Sequence, residues 1–396
     1  MKVKVVLEDV TTSREIAPAG PTLASTLASL RLPVTMFQAY LVHEDHMSPI
    51  PHWTSYNTLE EMGGDVLIRA LRNTLFDSII PNDASKIPWR EGVGFEQFLP
   101  NEEGHGSQLA QVILSPEQAQ RLVIDEVVSF IRGQNVSARG CVFGVSGGGD
   151  SNALAYGLRE ALPADRLFAF TIVFRDVMTR NAADRATVLC QELGIDHVVL
   201  QPDELASLLD IQTSVDALYD DFSAVFGEEA VHFFGTFLIL KTARSLAMQR
   251  GHLDLAFGYN REDLLAELLF QLVNGHRPLE YPVRSLGDDQ RIIMPVWRIP
   301  KLVLDACHPR FSLENYRERD AHTTRQRSLA FYLGHALDSA YPSFGLSLLE
   351  GVLTAFGGST AELTYDSDID VYVTELADEE RRSVVRQLLS RHFATH

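Results

Sequence analysis

The chain has 396 residues, with 34 Lys plus Arg against 53 Asp plus Glu and a formal net charge of -19. That balance argues against an obligate nucleic-acid binder, because phosphate neutralisation on a basic footprint supplies most of such a protein's affinity. Hydrophobic residues at 45% and charged residues at 22% exclude a disordered chain, and the length suits about two or three domains of roughly 100 to 200 residues.

The start, Met1-Lys2-Val3-Lys4, alternates charged and apolar residues and lacks the apolar core of a signal peptide. No stretch approaches the about 18 apolar residues of a spanning helix, so no membrane segment is expected. Lys2 to Leu7 alternates in period two, Ser13 to Ala17 reads as its hairpin partner, and Leu23 to Leu30 has the apolar spacing of one amphipathic helix. Gln38 to His43 and Asp65 to Leu71 read as later strands, closing a first domain over 1–74. The order strand, strand, helix, strand, strand is similar to the β-grasp, or ubiquitin-like, fold. Carrier proteins of that fold end in a free Gly-Gly, whereas this segment runs on through Arg72-Asn73-Thr74; a docking or substrate-gating role is therefore expected rather than a carrier role.

Residues 75–114 are expected to form a linker, since Asp77 to His105 contains Pro81, Pro88 and Pro100 among scattered Gly and Asn. Ser115-Pro116-Glu117 then places an N-cap before a proline at the first helical position, and Leu122, Val123, Val127, Val128 and Ile131 continue that helix. From Gly140 short apolar runs (Cys141 to Val145, Leu167 to Phe174, His197 to Leu200) alternate with helical stretches such as Asn152 to Ala161 and Asn181 to Leu193. This alternation predicts an α/β fold with a parallel, doubly wound sheet over 115–345.

The sharpest local signal is Val142-Phe143-Gly144-Val145-Ser146-Gly147-Gly148-Gly149-Asp150-Ser151-Asn152. An apolar strand feeds three consecutive glycines and then a helix, so the backbone can turn tightly and present N–H groups at a positive helix end. That geometry suits a pyrophosphate. Ser146 and Ser151 add hydroxyl donors, and Asp150 beside phosphates calls for a Mg2+ ion to offset its charge. Ser-Gly-Gly-Xaa-Asp-Ser resembles the PP-loop of the ATP pyrophosphatases, which include asparagine, NAD and GMP synthetases, tRNA-lysidine synthetase, tRNA thiolases and 7-cyano-7-deazaguanine synthase. It lacks the Gly-Lys-Ser/Thr of the kinase P-loop.

The resemblance implies cleavage of ATP between the α and β phosphates, transfer of AMP to an acceptor oxygen, and attack on the activated carbon by nitrogen or sulfur. It implies ATP and Mg2+ as ligands, with Ser146, Gly147, Gly148, Gly149, Asp150 and Ser151 holding phosphate and Asp150 and Ser151 taking part in catalysis. Ile172 and Phe174, at the end of the second strand, are implied to contact adenine. Leu255 to Glu267 is similar to the stretch in lysidine synthetases and thiolases where Gly-His-Asn is followed by an acidic pair. Gly258 and Asn260 are thereby implied in nucleotide binding, and Asp263, after Glu262, in catalysis and metal binding. Asn274-Gly275-His276-Arg277 and Met294 to Lys301 match weaker later stations.

One departure matters. In the thiolases a Cys-Xaa-Xaa-Cys-Gly precedes that strand; aligned on Gly235, its cysteine positions hold Val231 and Phe234 here. Of the three cysteines, Cys141 and Cys190 read as buried thiols, and Cys307 beside His308 reads as the one in a polar setting. No disulfide or cysteine zinc framework is encoded, which fits a reducing, cytoplasmic location.

The last 51 residues, 346–396, read as an acidic extension. Gly357-Gly358-Ser359 and Asp366-Ser367-Asp368-Ile369-Asp370 are weighed as a nucleotidyltransferase pattern and read as an acidic edge strand before a final helix, Asp378 to Arg391. The locally basic Lys301 to Arg327 reads as a solvated helix face. The expected acceptor is a small molecule or a protein, and the acidic balance argues against tRNA; a homodimer stays open. Sulfur transfer, amide or nitrile formation like that of 7-cyano-7-deazaguanine synthase, and a non-catalytic ATP-binding scaffold are the alternatives.

Overall fold

A computed structural model of the protein describes residues 3–6, 14–29, 34–44, 46–70, 93–100, 107–136, 139–175, 178–251, 254–287, 290–308, 312, 325–340, 343–356, 360–361, 363–366, 371–374 and 379–393. These fall into two compact units, the first built from 1–123, 260–270 and 298–355 and the second from 124–259, 271–297 and 356–396.

The first unit contains a five-stranded sheet of β1 (Val3–Val6), β2 (Arg14–Ile16), β3 (Phe37–Val42), β4 (Met47–Ile50) and β5 (Asp65–Ala70), in the order β2-β1-β5-β3-β4. β1 and β5 run parallel and the other neighbours antiparallel. Helices α1 (Leu23–Ser29) and α2 (Tyr56–Met62) give Leu23, Leu27, Tyr56 and Leu59 to one core with Phe37, Leu41, Val66 and Ile68 of the strands. α2 and β4 lie in the Val42–Asp65 interval, where no period stands out in the sequence. Ser55 caps α2 by accepting from the Thr58 N–H, and Gly63 ends it at positive φ, so turn chemistry rather than apolar spacing marks this helix.

The stretch read as a linker is in part a β-hairpin. β6 (Val93–Pro100) and β7 (Ser107–Leu114) pair antiparallel in register from Val93↔Leu114 to Pro100↔Ser107. The prolines drew attention to a connector, but Pro100 sits at the end of its strand, where a missing N–H costs the ladder nothing. Pro81 and Pro88 lie outside the described residues.

The second unit is built on a six-stranded sheet of β8 (Cys141–Gly144), β9 (Leu167–Ile172), β10 (Asp196–Leu200), β11 (Asp254–Ala256), β12 (Val283–Gly287) and β13 (Gln290–Ile293). Its order is β10-β9-β8-β11-β13-β12, parallel from β10 to β13 with β12 antiparallel at the edge. All residues of β9 and β11 are buried, whereas the edge strand β10 begins exposed. Covered faces explain why the central strands read as unbroken apolar runs. Helices α3 (Pro116–Gly133), α4 (Gly149–Ala161), α5 (Arg180–Leu193), α6 (Pro202–Leu208), α7 (Val215–Phe226) and α8 (Ala230–Gln249) fill the crossovers and approach to the sheet. From β8 the chain steps outward to β9 and β10, then returns to lay β11 on the other side of β8. The doubly wound parallel sheet expected from the alternating pattern is therefore present, and the end of β8 is its topological switch point.

β11 is pinned from its start. Asp254 is fully buried and takes a bidentate grip from Arg291, Nε to Oδ1 at 2.9 Å and Nη2 to Oδ2 at 3.1 Å. This fork geometry makes burial of the carboxylate tolerable and fixes where the strand leads.

At the C-terminal end, β14 (Leu363–Asp366) and β15 (Val371–Thr374) form a two-stranded antiparallel sheet, followed by the helix Glu379–Leu389. A pair of strands thus replaces the single edge strand expected there. Gly357, Gly358, Ser359, Asp368 and Asp370 lie outside the described residues, as do 309–311 and 313–324 of the basic stretch.

Candidate active site

The segment 145–148 links β8 to α4 at the switch point, and its conformation demands glycine at one position. Gly147 has φ +69°, and a Cβ there would lie 2.4 Å from the Ala182 carbonyl oxygen. Any side chain would both strain the backbone and collide with α5.

Three carbonyls of this segment are tied back by the protein. The Thr171 hydroxyl donates to the Val145 oxygen at 2.6 Å, the Arg185 Nε–H donates to the Gly147 oxygen at 3.2 Å, and the Ser151 hydroxyl donates to the Gly148 oxygen at 3.1 Å. Because Thr171 spends its only proton on Val145, its 2.8 Å contact with His197 Nε2 makes that ring nitrogen the donor. Burial pushes the His197 pKa down, which keeps the ring neutral in this role.

The donors face a different fate. Gly148 is the N-cap of α4 and makes no side-chain cap bond. The first N–H groups of α4 thus meet no acceptor from the cap residue, and the helix dipole adds partial positive charge there. Carbonyls held away at a glycine-capped helix start make an anion-binding turn.

The serines divide their labour. Ser146 is exposed, while Ser151 is 7% exposed and accepts the Ser146 N–H at 3.2 Å. Ser151 also braces the loop: its hydroxyl lies 3.1 Å from the Gly148 oxygen and 3.2 Å from the Ser146 Oγ. Asp150 is half-buried in the first turn of α4, and the Gly258 segment after β11 passes beside it: a Cβ on Gly258 would lie 3.9 Å from Asp150. Among the described residues no group of three or more His, Cys, Asp or Glu stands ready for a metal. A magnesium ion held by one carboxylate, phosphate oxygens and water needs no such group, so Asp150 fits that ion.

Ile172 and Phe174, at the exit of β9, are 5% and 3% exposed. Phe174 packs its ring against Tyr219 and Phe234 at centroid distances of 5.6 and 5.3 Å. Arg175, at φ 46°, lies over the Phe174 and Tyr219 rings and is paired with Asp216 and Asp220 of α7. This aromatic and ionic clasp closes the end of β9.

Asn260, Glu262 and Asp263 are described with the first unit, at the start of α9 (Arg261–Val273). Asn260 Oδ1 accepts the Asp263 N–H at 3.0 Å, and Asp263 Oδ2 accepts the Asn260 N–H at 3.2 Å. This is a reciprocal cap. Glu262 is 3% exposed and accepts the Lys301 N–H at 2.8 Å. Asp263, expected to serve catalysis, and its neighbour Glu262 thus each also have a local structural task.

Phe234, at one expected cysteine position, is buried in the aromatic cluster with Phe222 and Tyr219. All three cysteines are buried. Cys307, expected in a polar setting, ends the helix α10 (Lys301–Cys307), whose seven residues are all buried, and its thiol donates to the Val303 oxygen. Burial pushes the Cys190 thiol up to about 12 and raises that of Cys141 as well, with the Asp254 charge contributing there. These residues do not fit an iron–sulfur cluster, which needs accessible thiolates.

Arg185, Thr171 and His197 escaped the sequence reading. Their roles arise from contacts across 26 to 38 residues of chain, and no local pattern records them.

Residues 123–222 match the family model described as NAD synthase. No match is found among curated protein sequences. Among solved structures, the U34-tRNA thiolase NcsA from Methanococcus maripaludis with its [4Fe-4S] cluster is similar over 61% of this chain and 80% of its own, at 18% identity and a TM-score of 0.49. The NH3-dependent NAD synthetase from Campylobacter jejuni subsp. jejuni NCTC 11168, in complex with nitrate, is similar over 63% of this chain and 99% of its own, at 16% identity and a TM-score of 0.36. At these identities and scores neither speaks to the residues of this chain. The family match falls on the segment that carries the glycine turn, and residues 123–222 are thus similar to the NAD synthase family.

Proposed function

We propose that this protein cleaves ATP to AMP and pyrophosphate and adenylylates an acceptor. An acceptor carbonyl or carboxylate oxygen attacks the α phosphorus, pyrophosphate leaves, and a nitrogen nucleophile then attacks the activated carbon and displaces AMP. The observation that carries this reading is the uncapped start of α4 with the carbonyls of Val145, Gly147 and Gly148 turned away from it. Such a turn is preorganised for the charge that builds on departing pyrophosphate, and it needs no rearrangement at the moment of reaction.

In this reading the Gly147, Gly148 and Gly149 backbone and the Ser146 hydroxyl receive the phosphates, and Ser151 keeps the turn in shape. Magnesium supplies charge neutralisation when bound, held by Asp150. Ile172 and Phe174 are assigned to the adenine side as apolar residues at the end of the strand beside β8, and Gly258 to the close approach past Asp150. Asn260 and Asp263 are left with their cap. A nitrogen nucleophile is favoured over sulfur because the thiols are buried and Val231 and Phe234 carry no sulfur.

The first unit is assigned to the β-grasp fold, supported by the order β2-β1-β5-β3-β4 with α1 packed on the sheet, and to docking or gating of the acceptor. The acceptor is proposed to be a small molecule or a protein, in keeping with the net charge of -19.

The test is ATP labelled at the α phosphate, incubated with Mg2+, ammonia and a panel of carboxylate and carbonyl acceptors. AMP and pyrophosphate should accumulate and be lost in Asp150→Ala; release of ADP would overturn the reading.

A further inference from the structure

Arg185 stands on α5, and its Nε–H reaches back to the glycine turn. Its Nε–H donates to the Gly147 carbonyl at 3.2 Å, while its Cβ lies 3.3 Å from where a Cβ on Gly147 would be. α5 is therefore packed directly against the turn, and the guanidinium sits behind it. A trans peptide is planar, so the carbonyl of Gly147 and the N–H of Gly148 point in opposite directions. Holding the Gly147 oxygen toward α5 sends the Gly148 N–H to the other side, away from Arg185. Glycine offers this peptide little resistance to flipping, since both residues flanking the bond lack a Cβ. An external anchor is what can choose between the two orientations.

We propose that Arg185 is a positioning residue for pyrophosphate: it locks the Gly147–Gly148 peptide so that the Gly148 N–H serves the anion, and its charge raises the potential of the turn. This rests on the reading of the turn as a phosphate site. The two contributions separate by substitution. Glutamine places an amide nitrogen at the same distance along the side chain as the arginine Nε, so Arg185→Gln keeps the donor and loses the charge. Arg185→Met has similar reach and loses both.

The experiment is calorimetric titration of the full-length protein and both variants with inorganic pyrophosphate plus Mg2+, and separately with adenosine, at low and at moderate salt. Arg185→Met should bind pyrophosphate about 10- to 100-fold more weakly, the scale of one lost charge-assisted bond. Arg185→Gln should recover most of that loss, and its remaining deficit should shrink as salt screens the missing charge. Adenosine binding should stay unchanged in both, which a general loss of folding would not allow. Equal weakening by Gln and Met, or wild-type pyrophosphate affinity in both, overturns the peptide-locking role while leaving the phosphate site standing. Absence of pyrophosphate and ATP binding in the wild-type protein overturns the phosphate site and this inference together.

Discussion

Two helix starts in this protein follow short, fully or largely buried parallel strands and carry acidic residues in the first turn, yet they handle their orphan N–H groups in opposite ways. At α4 the cap residue is Gly148, with no side chain to accept, and nearby side chains bind the carbonyls instead. At α9 Asn260 and Asp263 satisfy each other's backbone in a closed pair. The difference teaches that acids at a helix N-terminus carry little functional meaning alone, because dipole and cap account for them. A helix start whose own cap has been deleted, and whose neighbours maintain that deletion, is the informative one.

The largest expected effect comes from closing the open start. Gly147→Ala should abolish pyrophosphate release and destabilise the protein by about 2–4 kcal/mol, from a strained φ and a clash with the Ala182 carbonyl. Urea unfolding together with the turnover assay checks both. If this variant turns over normally, the glycine turn is not the reactive site and the contrast with α9 has no catalytic meaning.

Next in size, Asp150→Ala should lower pyrophosphate release about 100-fold or more with an unchanged Tm, since the charge it organises acts on the leaving group rather than on the fold. Asp263→Ala should do the reverse, costing about 1 kcal/mol of stability through a lost cap and moving turnover far less. A turnover loss at Asp263 equal to that at Asp150, at full folding, would collapse the comparison by giving both starts the same task.

Acid tests the unit that holds α9. There His52 is buried, donates Nε2–H to the Phe37 oxygen at 2.7 Å, and is pushed down to about 4 by desolvation; burial likewise pushes His308 down to about 4. The unfolded chain takes up a proton near pH 6.5 that the folded chain refuses. Stability from each site is thus in place above about pH 6.5 and is lost as pH falls toward 4, by up to about 3 kcal/mol per site. Thermal melts between pH 7 and pH 4 should show this slope, and His52→Gln should remove its own share while the His308 share remains.

The smallest effect sharpens the serines' division. Ser151→Ala should loosen the loop and cost about 1 kcal/mol, the worth of one hydrogen bond. Ser146→Ala, at an exposed position, should cost less stability than Ser151→Ala and show mainly as weaker ATP affinity. Paired melts and ATP titrations read the two apart.

The glycine turn was legible because its whole chemistry lies within about a dozen consecutive residues, each with a backbone meaning of its own. The buried state of Cys307 was not, since His308 beside it suggests a polar site until α10 is seen to be covered on every side. The reciprocal cap of Asn260 and Asp263 was not legible either, because an acid after a strand reads the same in sequence whatever its oxygens accept. The pairing of 93–100 with 107–114 was hidden in a proline- and glycine-rich stretch, although Pro100 stands at a strand end.

What the sequence determined by itself is therefore local: the apolar runs of a covered parallel sheet and the strand–glycine–helix turn between Val145 and Ser151. What only the tertiary structure decided is which groups of that turn face outward. Backbone carbonyls and N–H groups are identical in every residue, so their direction is invisible in a string of letters. It is set by Thr171, Arg185 and Ser151, two of them brought in from other elements of the fold by packing.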